Sequence, residues 1–90
     1  MRNFNIYTPG EKIKKIRNEL NIKQEDLTGG EITRNLISII ENNKANLTDT
    51  VAKVLTENIN RIYREKNIET QITKEYLLED IISQAKKNSK

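Results

Sequence analysis

The chain has no cysteine and no histidine. Their absence excludes a disulfide framework, a thiol nucleophile, an imidazole base and a structural zinc site, which draws its ligands mainly from these two residue types. Proline occurs once and glycine three times in 90 residues, too few turn formers for a sandwich or barrel, and an all-helical bundle is the natural architecture. Long apolar runs are missing too. The longest apolar cluster, Leu36 to Ile40, is interrupted by Ser38 and falls far short of the about 20 residues a bilayer span needs. The N-terminus carries no secretory apolar stretch, so a soluble, cytoplasmic protein with no membrane partner is expected.

An excess of one charge is lacking as well. The 16 Lys and Arg residues are nearly matched by 13 Asp and Glu, giving a net charge of +3. Between Thr8 and Lys53 the balance is eight against seven, so only the placement of charge, not its amount, can argue for an acidic partner. Ninety residues, 34% hydrophobic and 32% charged, form one small surface-rich domain with a single modest core.

Helix signals recur along the chain. Thr8, Pro9 and Glu11 form an N-cap, a first-position proline and a capping box. Ile13, Ile16 and Leu20 then mark one face, leaving Lys12, Lys14 and Lys15 largely to solvent, and Asn21 ends the helix. Gln24 to Thr28 is read as a short second helix carrying Leu27 inward and stopped by Gly29-Gly30. Thr33 caps a third, over 33–42, whose Leu36, Ile37, Ile39 and Ile40 are too many for one stripe, so at least one lies at the margin of the core. Asn43 occupies the place of a left-handed, helix-ending residue. A fourth helix runs from Thr48 to about Lys66 with Val51, Val54, Leu55, Ile59 and Ile62 at helical spacing.

After a polar break at residues 67–71, Thr73 caps a fifth helix, with Ile72 and Leu77 as a hydrophobic staple. Leu77, Leu78, Ile81, Ile82 and Ala85 supply its stripe. No tandem repeat is visible. Residues 67–90 are read as a helical extension that packs on residues 1–66 or links them to a missing domain.

The stretch Lys23 to Lys44, KQEDLTGGEITRNLISIIENNK, packs a short helix, a glycine-broken turn and a second helix into little more than twenty residues, the shape of a helix-turn-helix DNA reader. Through Ile13, Ile16, Arg17, Gln24, Leu27, Ile37, Ile40, Glu41 and Lys44 the run from Gly10 to Ile59 resembles the phage-repressor-like, or XRE, family. Its LTGGEITRNLISIIENNK segment is similar to Gram-positive regulators in which tetratricopeptide repeats follow this domain. Two features depart from the family pattern: the turn is one residue shorter than the commonest spacing, and Asn43 stands where glycine is usual. The resemblance implies an all-α, compact, five-helix lambda-repressor-like fold with residues 1–66 as its helix-turn-helix DNA-binding domain, and an internal ion pair between Arg17 and Glu41 that joins the first and third helices.

On this reading Gln24, with Lys23 beside it, grips phosphate from the start of the second helix; the bland alternative is an ordinary solvated helix start. Arg34, Asn35 and Ser38 lie on the front of the third helix, where arginine can clamp guanine and asparagine can pair with adenine. Ile39 either meets a thymine methyl or extends the core. Thr33 and Lys44 are expected on the DNA backbone. Lys12, Lys14, Lys15 and Lys53 read as solubilising charge. Glu25, Asp26 and Glu31 read as helix-surface charge, since nothing completes an acid–base or metal site. No enzyme, no metal and no cofactor are expected.

The expected function is sequence-specific regulation of transcription on double-stranded DNA, as a homodimer, with a possible downstream tetratricopeptide domain. The alternative is a protein-interaction module of antitoxin or adaptor type on the same fold, favoured by the near-neutral core.

Overall fold

The α-helices among the described residues begin at threonines, and the first three stop at asparagines. The structure, a computed structural model, describes residues 7–79. In order come α1 (Pro9–Leu20), a 3-10 turn (Gln24–Leu27), α2 (Arg34–Glu41), α3 (Asp49–Glu65) and α4 (Lys74–Leu78), with no strand among the described residues. Thr8, Thr33, Thr48 and Thr73 each accept the backbone N–H three residues ahead, a cap worth about 1 kcal/mol. The Thr8 N–H in turn donates to Glu11 at 2.9 Å, completing the capping box.

Asn21, Asn43 and Asn67 take φ of 57°, 62° and 60°, a left-handed geometry asparagine tolerates better than most side chains. At each stop the next residue's N–H reaches back to a carbonyl of the last turn. Ile22 donates to Arg17 at 3.1 Å, Lys44 to Ile39 at 2.9 Å and Ile68 to Tyr63 at 2.9 Å, the closure that satisfies otherwise orphaned helix-end carbonyls.

Four α-helices, not five, are formed among the described residues. The expected second helix is a single 3-10 turn, closed by Asp26 N–H to Lys23 at 3.0 Å and Thr28 N–H to Glu25 at 3.2 Å. Gly29 and Gly30 lie at positive φ directly after it. The segment ends before the costly first α-helical turn can be followed by cooperative growth. The last helix is described over Lys74–Leu78; the expected continuation through Ile81, Ile82 and Ala85 lies outside the described residues.

The core is one cluster. Ile13, Ile16 and Leu20 of α1 meet Leu27, Ile37 and Ile40, the α3 residues Leu55, Ile59, Ile62 and Tyr63, and Leu77 of α4. Of the four apolar residues on α2, Ile37 and Ile40 are buried, Leu36 packs against the cluster from its margin, and Ile39 is half-buried. Full burial of Leu77 contributes about 2 kcal/mol and seats α4 on α1 and α3.

Lys12 departs from its expected solvent position. It is buried, and its Nζ donates to the carbonyls of Tyr76 and Glu79, the latter at 2.9 Å, while lying 4.6 Å from the centre of the Tyr76 ring. The cause is at the end of α4. Glu79 is extended, and the lysine supplies donors to carbonyls at this helix end.

The first turn of α1 also touches the last turn of α2. A Cβ at Gly10 would sit 1.9 Å from the Ile40 carbonyl oxygen, so the approach exists only because position 10 has no side chain. Thr8 Oγ1 donates to Asn43 Oδ1 at 2.7 Å beside it. No helix among the described residues is long and apolar enough to cross a membrane.

Candidate functional site

The two sides of α2 have opposite characters. On the inner side, the buried carboxylate of Glu41 receives Arg17 Nε at 2.9 Å and Arg17 Nη2 at 3.0 Å, a bidentate pair. It also receives Gln24 Nε2 at 3.0 Å. Arg17 Nη1 reaches the Ile22 carbonyl at 3.3 Å. The hydrogen bond to Glu41, with charge attraction behind it, holds the Arg17 guanidinium above its ordinary range against the opposing effect of burial. Three side chains thereby join α1, the 3-10 turn and the C-terminal end of α2, in surroundings where charge-assisted bonds are strong.

On the outer side, Arg34 and Asn35 are exposed and Ser38 is half-buried. Their spacing, one, three and four residues apart, puts them on a common face with Ile39 beside them. Thr33 is exposed, accepts the Leu36 N–H at 3.1 Å, and keeps its own O–H to donate. Lys44, exposed just past α2, uses its backbone N–H to close the helix and leaves its ammonium in water. Lys23, exposed and extended, leads into the 3-10 turn, where the Asp26 carboxylate takes its backbone N–H at 2.8 Å. Gln24 is half-buried, with one amide N–H committed to Glu41 and the second left to donate.

Among the described residues of α1, α3 and α4 some basic side chains are paired, while exposed Lys14, Lys53 and Arg64 are not. Lys15 pairs with Glu19, Arg61 with Glu65 at 3.3 Å and Lys74 with Asp49 at 2.8 Å. Hydrogen bonding to these carboxylates raises the pKa of Lys15 and of Lys74. Arg34, Lys23 and Lys44 have no such carboxylate partner among the described residues. Two open depressions, of about 520 and 350 Å³, flank α1 and are lined by residues such as Tyr7, Lys14, Tyr63 and Tyr76. Neither includes a residue of α2. Among the described residues no group of three or more Asp or Glu is arranged to hold a metal ion.

No protein-family model, no curated protein and no solved structure matches this chain. The functional reading therefore rests on its own side chains.

Sequence reasoning passed over Asn58, which is buried in the core face of α3 and donates from Nδ2 to the Leu27 carbonyl at 2.7 Å. A signal was present. Position 58 lies three residues after Leu55 and four before Ile62, on the apolar stripe itself, and a polar residue on such a stripe must find a partner inside the protein. Gly10 offered no comparable signal, because its neighbour is a backbone oxygen.

Proposed function

We propose that this chain is a sequence-specific DNA-binding transcriptional regulator of helix-turn-helix type, with α2 as the helix that enters the major groove. The observation that carries this reading is the two-sidedness of α2. An eight-residue helix is fastened from within by buried Glu41, while Arg34 and Asn35 stand exposed and without ionic partners on the opposite side.

The major groove admits a helix of this kind. There Arg34 clamps guanine O6 and N7, Asn35 pairs with adenine N6 and N7, and Ser38 takes either base, each good bidentate contact adding about 1–3 kcal/mol of discrimination. Ile39 turns its half-buried side chain toward a thymine methyl. Lys23, Thr33, Lys44 and the remaining N–H of Gln24 bind phosphates, which sets register and orientation without reading sequence. Because Glu41 fixes the helix before DNA arrives, little ordering cost remains at binding. Two copies on half-sites about 34 Å apart complete the assembly, and a tetratricopeptide domain following residue 90 would supply its control.

A protein-interaction module is the second reading. It is favoured by the nearly equal counts of acidic and basic residues and by Tyr76, which is 45% exposed.

Fluorescence anisotropy with mixed genomic duplexes, followed by selection of a preferred site, separates the two. Raising salt fourfold, from about 50 to about 200 mM, is expected to weaken binding on the order of 10- to 100-fold for two to four neutralised phosphates. R34A and N35A are each expected to lose about 5- to 150-fold of the preference for the selected site with unchanged melting temperature. A dimeric chain that binds no duplex at low salt overturns the DNA reading and favours a protein partner.

A further inference from the structure

The turn that leads into α2 lies on a single buried amide. Asn58 Nδ2 donates to the carbonyl of Leu27, the last residue of the 3-10 turn. Two residues later the chain passes over the same group. A Cβ at Gly29 would lie 2.6 Å from Asn58 Nδ2, 2.7 Å from Oδ1 and 2.9 Å from Cγ. The neighbouring Gly30 also has positive φ, but a Cβ there would meet nothing within 4 Å. The two glycines therefore differ: Gly30 is needed for its backbone angle alone, and Gly29 for its angle and for contact with Asn58.

α2 is thus fastened near both ends. Arg17 and Gln24 hold Glu41 at its C-terminal end, and Asn58 fixes the path of the chain toward its N-terminal end. Losing the second fastening leaves the Glu41 cluster and the buried Ile37 and Ile40 to hold the helix, and lets its N-terminal end shift about them. An eight-residue helix is about 12 Å long, so a pivot of about 10° moves the far end by about 2 Å. That far end carries Arg34 and Asn35, and bidentate contacts are sensitive to displacements of about 0.5 Å.

We propose that Asn58 is the positioning residue for α2: by bonding Leu27 and seating Gly29, its carboxamide sets the angle at which Arg34, Asn35 and Ser38 are presented. This proposal rests on the DNA-binding reading for its functional consequence, although the angle itself can be measured without DNA. An amide suits the place because the Leu27 carbonyl needs a donor. A carboxylate of the same shape would set acceptor against acceptor.

The test compares the wild-type chain with N58A, and with N58S, which retains a hydroxyl, in case N58A does not fold. Residual dipolar couplings on each free protein report the orientation of α2 relative to α3. Anisotropy, at a temperature where circular dichroism shows each variant folded, gives affinity for the selected site and for mixed DNA. The expected result is a reoriented α2, affinity for mixed DNA and its salt dependence within about twofold of wild type, and a specific-to-mixed ratio reduced on the order of 10- to 100-fold.

G29A is expected to lose the same ratio, and N58A to relieve part of the added loss in the double variant, since the atoms the new Cβ meets are gone. An unchanged α2 orientation, or an unchanged affinity ratio in a folded variant, overturns the proposal. If the wild type binds no DNA while N58A still reorients α2, the DNA reading falls and the positioning role stands.

Discussion

Two basic residues of α1 point inward, and the contacts described for them differ in kind. Arg17 faces the carboxylate of Glu41 across the α1–α2 seam, with both oxygens engaged and Gln24 sharing the acceptor. Lys12, at the α1–α4 seam, is held by the carbonyls of Tyr76 and Glu79 and by the Tyr76 ring. One seam depends on a particular side chain at a particular position. At the other, the contacts described are main-chain oxygens, which any sequence provides, and one aromatic ring. A buried carboxylate left alone carries an uncompensated charge, whereas a released helix-end carbonyl can be rehydrated once the helix end lifts away. The first seam is therefore expected to open only with the global fold, and the second to open locally.

The largest way to break this comparison is R17A. Glu41 is almost wholly buried, its side chain 2% exposed, so removing its partner should cost about 3 kcal/mol. That corresponds to about 12–24 °C in melting temperature for a domain of this size, read by thermal circular dichroism. Because the folded-state pKa of Arg17 is raised, its contribution is fully present below the ordinary arginine range and is lost only as pH climbs above it. The deficit should accordingly be the same at about pH 7 and about pH 9; a deficit that vanishes by pH 9 contradicts the assignment.

K12M comes next. It keeps the apolar stem and removes the donors, which should cost about 1–3 kcal/mol. Native-state hydrogen exchange is the sharper measurement, with α4 amides expected to exchange faster while those of α2 keep their wild-type protection. Equal loss of protection in both helices would show that the two seams are not separable.

The smallest effect is the coupling between them. The partners described for Arg17 and Lys12 are distinct, so the double variant should be additive within about 0.5 kcal/mol. Larger coupling would mean that α1 transmits strain from α4 to α2.

Local signals made much of the fold legible. Thr8, Thr33, Thr48 and Thr73 are caps because each places a hydroxyl within reach of an N–H three residues ahead. Asn21 and Asn43 stop helices because their own backbone tolerates positive φ. The inward faces of α1 and α3 follow from helical spacing, as does the common face of Arg34, Asn35 and Ser38. The Arg17–Glu41 contact was suggested by a family resemblance and not by periodicity, since residues so far apart in the chain leave no spacing signal. Gln24 is expected to grip phosphate from the start of the second helix; its bond to Glu41 depends on how the 3-10 turn packs against α2.

Short-range chemistry in the sequence therefore determined where helices begin, which of them end at asparagine, and which faces are apolar, because those outcomes involve groups within about one or two turns of each other. Tertiary structure alone decided that Lys12 is buried, that Asn58 underlies the turn before α2, and that Gly10 must lack a side chain. Lys12 meets the carbonyl of a residue 64 positions away and Asn58 one 31 positions away, and Gly10 meets the carbonyl of Ile40. A carbonyl oxygen is the same atom at every position in the chain, so no residue type announces which one a distant side chain will meet.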